Sequence, residues 1–458
     1  MAQSTPRLFH GVKQLLPHVV KSSRGAIVTT ECNRNYLDFT SGIGVTNLGH
    51  SHPGVTKAVI EAAPNLVHAV QNVMVHRPMM DLITRLSDLD VSKRSGFDSW
   101  FFWNSGSEAV EASIKLARHA TKKPNIIVSN LGYHGRTFGA MALTCSSTVY
   151  RAGFGPLMGG VNVMPFPYLS QGPFRETKSS KWPTQDLGEN YQYWGNAPAQ
   201  VAAGDTERCL EQLELLLATQ TSPSETAAVL LEPVQGEGGY IPCPPEYLAG
   251  LRKICDKHNI LLICDEVQTG FGRTGTMFAS DWVDGGVKPD ILICAKGIAN
   301  GYPLSAVATR SELSATQPPG SMGGTYGGNA IGCAAALAVL DAFKEENILD
   351  NVAKQEILVR KCLKDLQQSD AGSMLREVRG KGLMLGIEFE RLEGNSAGET
   401  ARAVVQECVK RELLVLQCGP YDTLRLIPPL NVTADEVTRA MGILSEAVSQ
   451  VHKNGGKA

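Results

Sequence analysis

Leu261-Leu262-Ile263-Cys264-Asp265-Glu266-Val267-Gln268 is answered downstream by Ile291-Leu292-Ile293-Cys294-Ala295-Lys296-Gly297. The two stretches read alike. Each opens on an apolar run too short for a helix and rich in branched residues, the pattern of a parallel strand buried on both faces. Each run then stops on a charge, Asp265 in the first and Lys296 in the second. In open parallel sheets, ligands sit at the carboxyl ends of the strands. An acid and a lysine are therefore expected to face one crevice.

Several chemistries share such a pair. A pyridoxal phosphate site uses both groups, a lysine to bond the cofactor aldehyde and a carboxylate to face the pyridinium nitrogen. Leu-Leu-Ile-Cys-Asp-Glu also resembles the acidic strand of a P-loop ATPase, which needs G-x-x-x-x-G-K-[ST] as well. The chain has none: Gly380-Lys381 is followed by Gly382, and Leu375 stands where the first glycine belongs. Gly270, Gly272 and Gly275 spell G-x-G-x-x-G, as in dinucleotide folds, but Thr276 to Gly286 carries Asp281, Asp284 and a glycine pair with no helical apolar stripe. A plain ion pair between Asp265 and Lys296 is the remaining alternative, and these two residues alone do not decide against it.

The 458 residues exceed one ordinary core, so two domains are expected. A hydrophobic content of 43% and a charged content of 19% fit a soluble globular enzyme and exclude a disordered chain. A net charge of -2 offers no general attraction to nucleic acid or to an acidic membrane. No apolar run reaches the roughly 18 residues of a membrane helix. The 11 cysteines, without a C-x-x-C pair, read as reduced thiols of an intracellular, cytoplasmic protein. The first 30 residues carry Arg7, Lys13, Lys21 and Arg24 and no acid. That composition suits a plain basic start to the fold, with a mitochondrial presequence as the alternative.

Further motifs punctuate the chain. Tyr36–Phe39 is strand-like. Gly49-His50-Ser51-His52 could supply metal ligands, but no carboxylate or cysteine set accompanies it, so turn and packing roles are expected and no metal. Trp103-Asn104-Ser105-Gly106-Ser107-Glu108 ends a strand and opens a helix, with Ser105 and Glu108 spaced as a capping box. Its small residues suit a phosphate at the helix start. Asn125–Val128 is the next strand, and Tyr133 after it could stack on a flat ring, although such a tyrosine taken alone is more often a core or surface residue. Residues 169–205, rich in Pro, Ser, Tyr and Trp, read as a long surface insertion. A βαβ unit resumes with the strand Ala227–Pro233 and the helix 246–258. Glu232 and Glu237 follow that strand closely. Gly323-Gly324-Thr325-Tyr326-Gly327-Gly328-Asn329 is a glycine loop feeding an Ala-rich helix. Beyond about 345 the pattern is α+β: helices at Glu346–Gln368 and Glu399–Glu412, strands at Gly382–Glu390 and Leu413–Gln417. Arg425 falls within an apolar strand, where it needs a carboxylate partner.

Over nearly its whole length the chain resembles the class III, fold type I, pyridoxal-phosphate-dependent aminotransferases, with the microbial 4-aminobutyrate enzymes the nearest pattern. The resemblance rests on Ser-Gly-Ser-Glu-Ala at 105–109, Tyr-His-Gly-Arg-Thr at 133–137, Glu-Pro-Val-Gln-Gly-Glu-Gly-Gly at 232–239, Asp-Glu-Val-Gln-Thr-Gly-Phe-Gly-Arg-Thr-Gly at 265–275, Ala-Lys-Gly at 295–297, Gly-Gly-Thr-Tyr-Gly-Gly-Asn at 323–329 and Leu-Arg-Leu at 424–426. The 169–205 stretch departs from the bacterial pattern. The resemblance implies an α/β fold with a large, mostly parallel-sheet domain (61–322) and a smaller α+β domain built from the C-terminal part (323–458) and an N-terminal segment (1–60).

It also implies roles. Lys296 would bond pyridoxal phosphate and then act as general base. Asp265 would pair with the pyridinium nitrogen, and Gln268 would bond the phenolic oxygen. Gly106 and Ser107 would hold the phosphate, and Tyr133 would cover one ring face. Thr325 would reach the phosphate of the neighbouring subunit, making a homodimer with shared sites. Arg136 with Ile43 would take the distal carboxylate of an ω-amino acid or of glutamate, and Arg425 the α-carboxylate of glutamate or 2-oxoglutarate. Glu232 belongs with the substrate residues, and Glu237 would pair with Arg425 when no second carboxylate is bound, unless that pair is fixed. The implied partners are a small amino donor and a 2-oxo acid. The implied reaction is transfer from 4-aminobutyrate to 2-oxoglutarate, with another ω-amine donor, such as β-alanine, an ornithine derivative or a secondary-metabolite amine, as the alternative.

Overall fold

A computed structural model describes residues 8–168, 199–282, 286–392 and 394–456. Its centre is a seven-stranded sheet. In chain order the strands are β1 (Ser99–Trp103), β2 (Asn125–Ser129), β3 (Val161–Met164), β4 (Thr226–Leu231), β5 (Leu261–Asp265), β6 (Ile291–Cys294) and β7 (Ser305–Thr309). Across the sheet they run β1-β7-β6-β5-β4-β2-β3. Only β7 is reversed, pairing antiparallel with both β6 and β1. The mostly parallel sheet expected from the sequence is therefore present, and β1, β2, β4, β5 and β6 all end on one edge.

Both faces of the sheet are covered, which explains why the strands read as continuous apolar runs. Side chains alternate in direction along a strand. Ile263, Ile291 and Ile293 pack with Val110, Ile114 and Ala117 of the helix Gly106–Thr121. Their neighbours Leu262, Cys264, Leu292 and Cys294 point into the other core. Burying each such aliphatic side chain contributes about 1.5–3 kcal/mol against leaving it in water. No helix follows the glycines at 270–275; turns lead instead to a 3-10 turn at Ala279–Trp282.

The smaller part holds two more four-stranded sheets. In one, Val20–Arg24, Ile27–Thr30 and Asn35–Asp38 pair in antiparallel order, and Leu413–Leu414 adds in parallel beside Leu37 and Asp38. N-terminal and C-terminal segments thus share one sheet, and Lys21 and Arg24 of the basic start lie in its strands. In the other, Leu375–Lys381, Met384–Phe389, Thr423–Leu426 and Leu416–Cys418 run antiparallel. The single strand expected at Leu413–Gln417 is in fact two. Buried Val415 separates them, and each half joins a different sheet.

Two further expectations are corrected or bounded here. The insertion at 169–205 ends sooner than expected, because a helix runs Ala199–Thr219; the rest, 169–198, lies outside the described residues. His50 bonds Asp38 Oδ2 at 2.8 Å, and His52 bonds Glu346 at 2.8 Å while capping the helix Pro53–Ala62, so both pack and neither gathers a metal set. Among the described residues no His, Cys, Asp or Glu group could hold a metal, and no helix is long and apolar enough to cross a membrane.

Candidate active site

Five strand ends feed one crevice. The chain leaving β1 enters the helix at Gly106. Ser105 caps that helix, accepting from Glu108 N at 3.3 Å. The capping box is shifted by one residue: the Glu108 carboxylate accepts from Asn104 N, 3.3 Å away, and from the Ser105 hydroxyl at 2.9 Å. The first-turn N–H groups of Gly106 and Ser107 are the orphan donors every helix start carries. The chain leaving β2 brings in Tyr133, His134 and Arg136, and the Arg136 N–H donates to Ser107 Oγ at 3.2 Å.

Asp265 closes β5 and is buried. Its Oδ2 meets His134 Nδ1 at 2.8 Å, and Oδ1 accepts from Val267 N, 3.1 Å away. The acid's hydrogen-bond partner is thus His134, not Lys296, which sets aside the plain ion pair between Asp265 and Lys296. Leaving a buried polar group without its partner costs about 1–3 kcal/mol. Lys296 does not end β6; it stands two residues beyond, at φ +46, where it opens the 3-10 turn Lys296–Ala299. A left-handed lysine costs on the order of 1–2 kcal/mol. Burial pulls its amine down to about 8, against an opposing pull from Glu237.

Glu232, one residue past β4, accepts from Tyr133 N at 2.8 Å and from Gly236 N, 2.9 Å away. Burial pushes its carboxyl up to about 7. Gln268 donates through Nε2 to the Ile43 carbonyl at 3.1 Å. Ile43 belongs to a turn, Ser41–Gly44, in which all four residues have positive φ. Asp38 holds its start, accepting from Thr40 N at 2.8 Å and Ser41 N at 3.2 Å. Gly44 is required there: at φ +75 a Cβ would also stand 2.6 Å from Ile427.

Arg425 finds the carboxylate its burial requires, donating to Glu237 Oε1 at 2.5 Å. Burial alone would raise Glu237, but Arg425, with Lys296 and the Tyr150 hydroxyl adding to it, holds the carboxyl below its ordinary value. Arg136 is exposed; its Nε donates to the Tyr133 hydroxyl at 3.2 Å, and its Cζ lies 4.6 Å from the Tyr150 ring centroid. Tyr133 and Tyr150 meet edge to face with centroids 5.2 Å apart. Thr325 is exposed on the glycine loop beside Tyr326. His134 and Tyr150 carry no signal of their own in the sequence. His134 adjoins Tyr133 in a quoted motif, but Tyr150 stands in no motif.

Two glycines let the chain close in on side chains of this crevice. A Cβ at Gly135 would stand 2.3 Å from Ser107 Oγ, and one at Gly236 would stand 2.4 Å from Gln268 Oε1. A buried acid, a lysine of lowered basicity and a helix N-terminus thus converge, and the donor set fits pyridoxal phosphate.

The class-III aminotransferase family matches residues 9–448. The 5-aminovalerate aminotransferase DavT of Pseudomonas putida is 34% identical over 96% of this chain and 96% of its own. The 4-aminobutyrate aminotransferase GabT of Escherichia coli is 34% identical over 98% and 97%. The acetylornithine aminotransferase of Bacillus cereus is 36% identical over 97% and 98%. Among solved structures, an amine transaminase from an uncultivated Pseudomonas species, in its pyridoxal-phosphate-bound form, superimposes with a TM-score of 0.84 at 29% identity, covering 98% of this chain and 99% of that one. The chain belongs to the class-III aminotransferases. It is a fold type I transaminase dependent on pyridoxal phosphate.

Proposed function

We propose that the chain moves the amino group of an ω-amino acid, 4-aminobutyrate foremost, to 2-oxoglutarate, giving succinate semialdehyde and glutamate. One observation supports this reading: Arg425 holds a carboxylate of the protein itself, Glu237, whose charge also reaches Arg136. A donor with a single distal carboxylate needs Arg136 and leaves Arg425 on Glu237. Glutamate and 2-oxoglutarate need both arginines, so Glu237 must give way. Charge-assisted pairing suits each contact.

The cofactor, when bound, supplies the electron sink that lets the bond beside nitrogen ionise. The rest falls to side chains. Lys296 Nζ would take the proton from the substrate carbon that bears nitrogen and carry it as the general base of the 1,3-transfer. Asp265, oriented by His134, would keep a proton on the ring nitrogen. Gln268 would bond the phenolic oxygen, Gly106 and Ser107 would bind the phosphate, and Tyr133 would cover a ring face. Ile43 shapes the distal pocket with Arg136, and Glu232 holds Tyr133 and Gly236 in place. We propose in addition a homodimer in which Thr325 completes the partner's phosphate site. Supporting it, Val73, Met74 and Val75 form an exposed apolar run, and Tyr326 beside Thr325 is 68% exposed. The division at 60 and 322 is proposed likewise, supported by the pairing of Asn35–Asp38 with Leu413–Leu414.

The test mixes the cofactor-loaded protein with a panel of amines and follows loss of its visible absorbance. 4-Aminobutyrate should convert it faster than alanine. Arg136→Ala should erase that preference, lowering 4-aminobutyrate about ten- to a hundredfold more than alanine. Equal losses for both donors would remove Arg136 from substrate reading. The match to acetylornithine aminotransferase favours a second donor class, ornithine derivatives, and the same panel decides between them.

A further inference from the structure

The two arginines are joined by one side chain that the reading above leaves without a task. Tyr150 ends a short 3-10 turn, Thr148–Tyr150, between β2 and β3. Its ring takes the Arg136 guanidinium at 4.6 Å from the centroid. Its hydroxyl donates to Glu237 Oε2 at 3.2 Å, while Arg425 holds Oε1 of the same carboxylate. Each oxygen of Glu237 therefore has its own donor. Burial, with the charge of Glu237 beside it, keeps the Tyr150 hydroxyl protonated up to about 12, so it donates throughout the working range.

We propose that Tyr150 is a specificity-determining residue: its hydroxyl latches Glu237 onto Arg425 and so sets how readily Arg425 opens to a second carboxylate. The latch rests on the two-arginine reading above. Its logic is a population argument. A ligand with one carboxylate fits the closed arrangement. A ligand with two binds only the open one, and its apparent affinity is reduced by the open fraction. A hydrogen bond present only in the closed arrangement favours monocarboxylates. The ring does separate work, since it supports Arg136 for both ligand classes.

The experiment uses cofactor-loaded protein and two unreactive ligands, glutarate with two carboxylates and pentanoate with one, with binding read by calorimetry. Tyr150→Phe should bind glutarate about three- to tenfold tighter and pentanoate within about twofold of wild type. Tyr150→Leu, which loses the ring as well, should weaken pentanoate. Glu237→Gln should also favour glutarate, and adding Tyr150→Phe to it should change nothing further, because the two act through one bond. Parallel changes in both ligands for Tyr150→Phe, no change in either, or additivity with Glu237→Gln would each overturn the latch. Wild-type protein that binds neither carboxylate would instead overturn the two-arginine reading, and the latch would fall with it.

Discussion

At the scale of the residue, Lys296 shows how surroundings make a base from an ordinary side chain. Burial, with the positive Arg425 adding to it, brings its amine down to about 8 against the opposing pull of Glu237, Glu232 and Asp265. Only the neutral amine bonds an aldehyde, and a lowered value means neutrality arrives earlier as pH rises. Capture of pyridoxal phosphate by cofactor-free protein should therefore quicken roughly fivefold from pH 7 to 8 and rise less than about twofold beyond pH 9. A rate still climbing tenfold per unit past pH 9 would mark an unperturbed lysine. Lys296→Ala should show neither the visible absorbance of the lysine-bound cofactor nor turnover. The lysine and the acid were legible in the sequence because strand ends in a parallel sheet converge. His134 was not, since its part depends on a contact with Asp265 across 131 positions that no local pattern encodes. Tyr150 was hidden for the same reason.

At the scale of the element, turns decide more than helices do. Gly135, at φ +131, lets the segment after β2 press against Ser107 at the start of the helix Gly106–Thr121. Gly135→Ala should weaken cofactor affinity at least about tenfold, measured by titration of cofactor-free protein, because the new methyl must displace Ser107. Gly442 is the counterpart. It is exposed inside the helix Ala434–Lys453, with nothing within 4 Å of a Cβ there. Gly442→Ala should raise stability by about 0.5–1 kcal/mol and leave affinity alone. Unchanged affinity in the first variant would show that the approach to Ser107 is not needed. The helices at 246–258, 346–368 and 399–412 were legible to within a few residues, from periodicity, while Pro53–Ala62, Arg77–Ser87 and Ala434–Lys453 were not read. Nor was the split at Val415, because a strand that changes sheets looks in sequence like a longer one.

At the scale of the whole molecule, the proposed sharing of sites has a quantitative signature. Lys296→Ala and Thr325→Glu should each be inactive, the second because a glutamate repels the phosphate. Unfolded together and refolded, about half the dimers would be hybrids, each with one intact site, and activity should return to roughly a quarter of wild type. No recovery with hybrids demonstrably present would place Thr325 in its own subunit's site. Five strands of the large sheet were legible as short apolar runs, whereas β3 and β7 were not read. The small sheets were harder to read, because they join distant chain. Arg34 bonds Glu412 across 378 positions, and Leu37 lies against Leu413. A ribosome adding about 5–20 residues each second needs roughly 20–75 s to cover that gap. Throughout that time the N-terminal strands are already made while the last strand of their sheet is not. Their open edge must wait for the far end of the message, exposed to any other nascent strand nearby.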